Sequence, residues 1–544
     1  MKKIILLLNL LLLNVGLLAQ NLDSLFYEFL RIKGIESDRR YVTTISDSNY
    51  IKCGFGIVSS VRLNYDKFTP KQKIILSQFF TRPTTDASFV TRSGLFRIHF
   101  NKAGIHSPKY DLNELARAID SAYNYEVNIL KYPPPPKDFG EGGDDKYDIY
   151  IQNLTGGLYG YTENETEIGN RIYTSYIVID NDFSDTYTKG IDGAKVSVAH
   201  ELHHAIQIGN YILRNEDQFF HELTSTAMEE FVFDSINDYY SYMPSFFNNP
   251  QRAFAYNDGY NLAIWDIFLK ERFGFDIIKR SWELFRNERA LNAMADAISE
   301  YGSSFKNEFA LFGQWIFFTN YRTVPNKYFE EAENYPLIKP SLIMEFIQPT
   351  TTVEINSEPV SSNYLVFINN SEAVPDTFVA IIANTDITQG VDSPGSKLNL
   401  KYILSNQNFK GEKKIIDNYY SKIECDNPFL LTESNILNNR LINEGQISTT
   451  DIAYAFPQPF MYSKDDFIYF PAERTKSGYA ELYVYSVNMD LIYSGEHKIF
   501  SSDKTVIKWN ALNNDMKKLA SGIYFYFVKS GDILNKGKFV VIND

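Results

Sequence analysis

The chain has 544 residues, a mass of 62.7 kDa and a formal charge of 53 − 67 = −14. At about 150 residues each, that length allows roughly two to four domains. A hydrophobic share of 44% against 22% charged residues excludes wholesale disorder, and the acidic balance argues against nucleic acid as a partner. Two cysteines, Cys53 and Cys425, exclude a disulfide scaffold and a four-cysteine metal site, leaving one bridge at most.

Met1-Lys2-Lys3, an almost unbroken apolar run from Ile4 to Leu18, and Ala19-Gln20 predict a secretory signal peptide over residues 1–20. The run is short for a span of about 20 residues, no cysteine follows it for a lipid anchor, and no later stretch is long enough to cross a bilayer. Export through the periplasm is expected, ending in secretion or at the cell surface, with no transmembrane segment left after cleavage. Residues 21–94 open with a short amphipathic helix from Leu22 to Ile32 and continue as turn-rich sequence, either a propeptide or a structural part of the catalytic domain.

Residues 95–325 mix strands with helices. Phe96 to Phe100 alternates as a strand does, Asp111 to Leu130 has helical spacing, and Tyr132-Pro133-Pro134-Pro135-Pro136 stops that helix. Tyr147 to Ile151 and Ile172 to Ile179 are strand-like, and helical segments dominate from Ala194 to about Phe318. Beyond Tyr335 short β-like runs such as Ser361 to Asn369 and Thr377 to Asn384 suggest a β-sandwich over 335–450, and a further break falls before 455–544.

Four of the seven histidines lie between positions 200 and 221, in Val198-Ala199-His200-Glu201-Leu202-His203-His204-Ala205-Ile206 and just beyond it. On a helix, His200 and His204 share a face and can offer two imidazoles to one metal, while Glu201 stands near enough to act as general base on an activated water. The apolar flanks predict a helix buried almost all round, where unpartnered polar groups cost several kcal/mol. His203 points off that face and reads as a packed residue or one supporting the ligands. A catalytic zinc takes three protein ligands and keeps one position open. The stretch Gln218 to Phe231 offers Glu222, Glu229, Glu230 and His221; small neighbours favour Glu222, with Glu229 and His221 next. HExxHxxGxxH is absent, which disfavours a three-histidine site.

His200-Glu201…His204 with Glu222 downstream resembles the gluzincin-type zinc metallopeptidases. Tyr147 to Tyr150, Tyr159-Gly160-Tyr161-Thr162, Thr174 to Phe183 and Val198 to Glu201 extend the likeness to a group of secreted bacterial metalloproteases over about Leu95 to Thr323. In that group the segment after the helix reads E-G-T-A-T-W-M-E-E. Here Leu223, Ser225 and Ala227 replace Gly, Ala and Trp, and Thr226 stands where thermolysin-like enzymes have an orienting Asp. The resemblance implies a zincin-like α+β fold, proteolysis by a zinc-activated water, and a sheet-edge strand at Ile172 to Ile179 that pairs with an extended substrate; an interior strand is the competing expectation. Tyr260, in Asn257-Asp258-Gly259-Tyr260, and His221 are the candidates for steadying an oxyanion. The oxygen-rich loops Glu141 to Asp145 and Asp180 to Asp185 are of a kind that can hold Ca²⁺, though neither has EF-hand spacing and a solvated acidic turn is the simpler expectation.

Pro457 to Phe460, Ala480 to Tyr485, Ile507 to Asn510, Ser521 to Phe527 and Lys536 to Ile542 alternate as strands between turns, the pattern of a small immunoglobulin-like sandwich. Through Ser521-Gly522-Ile523-Tyr524 and the terminal Lys538-Phe539-Val540-Val541-Ile542 it resembles the C-terminal sorting domain of type IX (Por) secretion, which implies the secretion machinery as a partner. The expectation is therefore a multidomain protein, a zincin-like α+β domain followed by all-β domains. Its expected function is that of a secreted zinc endopeptidase acting on protein or peptide substrates. The alternative is a surface adhesin or glycan-binding protein built on a degenerate peptidase scaffold.

Overall fold

The structure is a computed structural model that describes residues 22–35, 51–345, 357–369, 376–385, 400–406 and 411–418, and most of 455–543. The signal-peptide expectation and Cys425 lie outside the described residues. The chain divides into two compact units, one comprising residues up to Ser241 with Asp258–Ala263, the other Tyr242–Asn257 with everything from Ile264 on. No described helix is long and apolar enough to cross a membrane.

The first unit is built on a five-stranded sheet of β1 (Ala87–Val90), β2 (Phe96–Phe100), β3 (Tyr147–Gln152), β4 (Gly160–Gly169) and β5 (Ile172–Asp180), in the order β1-β2-β3-β5-β4. β2, β3 and β5 run parallel; β1 and β4 are antiparallel edges. The strand Ile172 to Ile179 is thus interior, and the outer strand on that side of the sheet is β4. The physical reason is the tight β4–β5 hairpin turning at Asn170 and Arg171, both at positive φ, which lays Gly160–Gly169 along the outside of β5.

Helices α1 (residues 22–32), α2 (Phe55–Leu63) and α3 (Pro70–Leu76) come from the N-terminal segment. Phe26, Phe29, Leu30, Val58, Val61 and Leu76 pack with Tyr150, Tyr161, Tyr176 and Val178 in one buried cluster on the sheet. Glu163 of β4, fully buried, is answered by Lys33 at 2.5 Å and by Arg62. Those cations hold its carboxyl below the usual range against the opposing effect of burial. On the other side lie α4 (Leu112–Tyr123), which continues as a π-helical turn over Asn124–Ile129, then α5 (Gly190–Asn210) and α6 (Gln218–Val232). From Val196 to Gly209 every residue of α5 is buried, as its apolar flanks predict.

The second unit begins with α7 (Met243–Phe247) and adds α8 (Ala263–Phe273, from Ile264 on), α9 (Asp276–Phe285), α10 (Ala290–Glu300) and α11 (Phe305–Phe317). Trp265, Phe268, Phe305, Phe309 and Phe312 stack edge and face at their centre. A second five-stranded sheet comes next, of β6 (Leu342–Glu345), β7 (Ser361–Asn369), β8 (Asp376–Asn384), β9 (Leu400–Asn406) and β10 (Gly411–Asn418), in linear order. Among the described residues of 335–450 this single sheet replaces the expected sandwich. Helix α11 backs it: Tyr364 of β7 donates its hydroxyl to Gly313 O at 2.8 Å and stacks on Phe317.

The last strands do form a sandwich: β11 (Phe460–Met461), β12 (Ile468–Pro471), β13 (Tyr479–Tyr485), β14 (Leu491–Ser501), β15 (Thr505–Trp509), β16 (Gly522–Ser530) and β17 (Ile533–Ile542). β14 pairs with β13 along its first part and with β15 at Ile499–Ser501, so one strand serves both halves. Phe470 meets Tyr526 and Phe539 across the interior at 4.8 and 5.3 Å, closing a core with Leu482, Val484, Trp509, Val528 and Val541.

Candidate metal centre

α5 places His200 and His204 one turn apart, and α6 brings Glu222 against them. His200 Nε2 stands 3.1 Å from His204 Nε2 and 3.1 Å from Glu222 Oε2, and His204 Nε2 is 3.3 Å from the same oxygen. His200 and Glu222 are 1% exposed and His204 is fully buried. In a tetrahedral site with bonds of about 2.0–2.1 Å, ligand atoms stand roughly 3.3 Å apart, so the measured triangle has the dimensions of such a site. The other carboxylate oxygen of Glu222 is buried without a hydrogen-bond partner among the described residues. The donor set therefore fits a small divalent cation.

The remaining nitrogens of both imidazoles are committed elsewhere. His200 Nδ1 faces Glu229 Oε1 at 2.7 Å. His204 Nδ1 faces Gln207 Oε1 at 2.9 Å, and the amide of Gln207 is oriented by donating from Nε2 to His221 O and Ser225 Oγ. With an acceptor fixed at each Nδ1, that nitrogen keeps its proton, so a metal taken up between the Nε2 atoms would meet their lone pairs in place of the proton that Glu222 otherwise draws to His200. Glu222 is depressed to about 2, because His204 and His200 outweigh the burial that would raise it. His200 is raised to about 9 despite burial, by its bonds to Glu222 and Glu229.

Glu229, weighed as a ligand, sits instead between His200 Nδ1 and the buried ammonium of Lys52, 2.5 Å away. It occupies the orienting role for which Thr226 offered no carboxylate. Lys52 also pairs with Asp238, which accepts from Tyr159 and Thr188. His221 turns its Nδ1 to Gln207 Oε1 at 3.0 Å, away from the cluster. His203 is likewise off the ligand face, with Nδ1 2.8 Å from Glu126 of the π-helical turn.

Glu201 lies beside the cluster. Its Oε2 accepts from Thr162 Oγ1 at 2.8 Å, and burial raises its carboxyl, opposed by His200 and His204. Room for it depends on Gly160: a Cβ there would come within 2.7 Å of Val178 O and 3.3 Å of Glu201 Oε1. Tyr260 is held by Gly259, whose φ of +102° lets the turn press so close that a Cβ there would come within 2.6 Å of Glu222 Cβ. The ring of Tyr260 is 6.2 Å from that of His200, but its hydroxyl is occupied by the backbone of Cys53, accepting from N and donating to O at 3.2 Å each.

Cys53 is the residue for which the sequence carries no local signal. Its sulfur lies within 4.8 Å of the ligand atoms of His200, His204 and Glu222, all four groups being buried. This is the only such group of metal-ligand side chains among the described residues. Burial and the nearby carboxylates of Glu201 and Glu222 push its thiol well up. The acidic loops do not converge in this way. Asp144 pairs with Arg97 and Lys146, and Asp145 with Lys137. Asp180 and Asp185 accept backbone N–H groups from Leu154, Phe183, Gly156 and Gly157. They read as structural turns, not a Ca²⁺ site.

The chain matches no family profile and no curated protein. Among solved structures it is similar to PorZ, an essential bacterial surface component of the type-IX secretion system of Porphyromonas gingivalis, at 14% identity and a TM-score of 0.15. That match covers 37% of this chain and 25% of the other. It is also similar to dimeric latent PorU of the same organism, at 13% identity and a TM-score of 0.14, covering 34% of this chain and 20% of that one. The chain thus spans a quarter or less of these two proteins, and likenesses this slight fix neither fold nor function.

Proposed function

We propose that the protein is a secreted zinc endopeptidase with a zincin-like first unit. The observation that carries this reading is the convergence of His200 Nε2, His204 Nε2 and Glu222 Oε2, each imidazole oriented from behind, with Glu201 alongside. His200, His204 and Glu222 would hold zinc, which supplies Lewis acidity, acidifying a water and polarising the scissile carbonyl. Glu201 takes the proton of the attacking water and delivers it to the leaving amine. Tyr260 would steady the oxyanion once its hydroxyl is released from Cys53. β4 is the edge strand to which an extended peptide would add. A degenerate scaffold serving adhesion would have no reason to keep two oriented tautomers and Glu201 in a dry core, where every unpartnered polar group is costly.

The test pairs metal analysis with casein cleavage. Because a thiol stands on the cluster, cleavage is measured on Cys53→Ala as well as on the natural chain. One zinc per chain is expected, with cleavage in at least one of the two and none after Glu201→Gln is added. Protein that neither contains nor takes up zinc, or that holds zinc and cleaves nothing in either form, removes the reading.

We propose further that 455–544 is a sorting domain for type IX secretion. Its own apolar core, separate from any metal-ligand cluster, supports this, as do the Ser521–Tyr524 turn and the terminal strand. A truncation ending near Ala455 should stay in the periplasm of its host. Normal arrival at the surface would make the sandwich a spacer or adhesive module instead.

A further inference from the structure

We infer that Cys53 is a fourth protein ligand of the metal and that the segment Lys52–Phe55 holds the site shut, so that the chain as folded is self-inhibited. This rests on the metallopeptidase reading above. A catalytic zinc keeps one position for water, whereas four protein ligands make a closed site. The Cys53 sulfur lies in the same 4.8 Å group as the other three ligand atoms, near enough to supply the fourth donor. It sits just before α2, accepting the backbone N–H of Phe55 at 3.3 Å, which holds the sulfur toward the cluster. When sulfur binds the metal it gives up its proton, and Glu201, hydrogen-bonded to the Cys53 side chain, is the acceptor at hand.

The same segment fills the place of substrate. Tyr159 N donates to Lys52 O at 2.8 Å and Gly54 N to Gly160 O at 2.9 Å, so residues 52–54 lie against the start of β4 through a single parallel bridge. An extended peptide would need those backbone groups. Tyr260 clasps the Cys53 backbone, and Phe55 stacks on the His204 ring at 4.1 Å. One four-residue stretch therefore takes the open metal position, the sheet edge and the oxyanion candidate together. A site closed only for stability has no use for Glu201 in its place beside the metal ligands. Opening replaces the metal–sulfur bond by water, returns the proton to the thiol and frees both β4 and Tyr260.

Zinc X-ray absorption on the full chain decides ligation without reference to activity. One sulfur neighbour at about 2.3 Å, beside nitrogen and oxygen at about 2.0–2.1 Å, is expected in the natural chain and should vanish in Cys53→Ala. Casein cleavage should rise at least roughly tenfold in Cys53→Ala, the gain from opening a form that is shut in nine molecules of ten. Zinc bound by nitrogen and oxygen alone in the natural chain overturns the inference, and so does equal cleavage by both chains; either leaves the peptidase reading standing. A sulfur neighbour with no cleavage in either chain instead removes the peptidase reading, and the shut state with it. Should Cys53→Ala fail to fold, the absorption spectrum of the natural chain still decides ligation, and Cys53→Ser, which keeps the side chain's size, takes its place in the cleavage assay.

Discussion

The α5–α6 pair and the C-terminal sandwich are both buried, yet they are made of opposite materials. α5 and α6 enclose three histidines of α5, His221, Glu201, Glu222, Glu229, Gln207 and Ser225. The sandwich core is Phe460, Ile468, Phe470, Leu482, Val484, Trp509, Tyr526, Phe539 and Val541. An apolar core is stabilised by area alone and tolerates exchange of one side chain for another of similar volume. A polar core stands only when each group has its partner, so its members depend on one another and a single loss propagates. The difference marks the α5–α6 interior as the candidate site, because an interior this costly is kept where a site requires it.

The sharpest way to break the comparison is to remove a ligand. In the Cys53→Ala background, His204→Ala and Glu222→Ala should each reduce bound zinc from one per chain to near none, since only two ligands then remain for a tetrahedral ion. If Glu229→Ala empties the site while Glu222→Ala does not, the third ligand has been assigned to the wrong carboxylate. Next in size is Glu201→Gln in the Cys53→Ala background, which should keep the metal and lose about 10²–10⁴-fold in peptide cleavage. Near-normal turnover would free Glu201 from its role as base. Glu229→Gln removes the negative charge behind His200 and should weaken zinc binding or activity by about 10–100-fold. Unchanged zinc affinity and turnover would mean that the Glu229–His200 contact orients nothing.

Smaller effects on activity test the other half of the comparison. Trp509→Ala should destabilise the sandwich by about 3–5 kcal/mol, read in denaturant unfolding, with zinc content unaltered. Loss of zinc with it would show that the two regions are not energetically separate. Last, Glu163 and Asp238 are held below the usual carboxylate range by Lys33 and Lys52 respectively, against burial. A depressed carboxyl contributes stability above its unfolded pKa of about 4 that is lost as pH falls through the folded value. The midpoint of thermal unfolding should therefore drop on acidification below pH of about 4, and Glu163→Gln should flatten part of that slope. An equal slope in the variant would assign the acid sensitivity elsewhere.

Local pattern was enough for His200, Glu201 and His204, because an i, i+4 pair on a helix lies on one face whatever the rest of the chain does, and for the buried character of α5, which its apolar flanks require. The strands Phe96–Phe100, Tyr147–Gln152 and those of the C-terminal sandwich were legible for the same reason: alternation is a property of neighbours. Which of Glu222 and Glu229 meets the cluster was not, since both lie on one helix and only its packing against α5 sets Glu222 at the Nε2 atoms and Glu229 behind His200. Nor was the sheet edge, which is fixed by the order in which strands pair. Gln207 stood three residues from His204, a spacing that could have flagged it. Cys53, Lys52 and Tyr260 had no such signal. They reach the site from distant parts of the chain by the parallel bridge at Gly160, by ion pairing with Glu229 and Asp238, and by the turn that Gly259 permits. Helical periodicity records what a residue's near neighbours do, whereas the approach of Cys53 to His200, His204 and Glu222 depends on contacts between segments far apart in sequence, which only the folded chain decides.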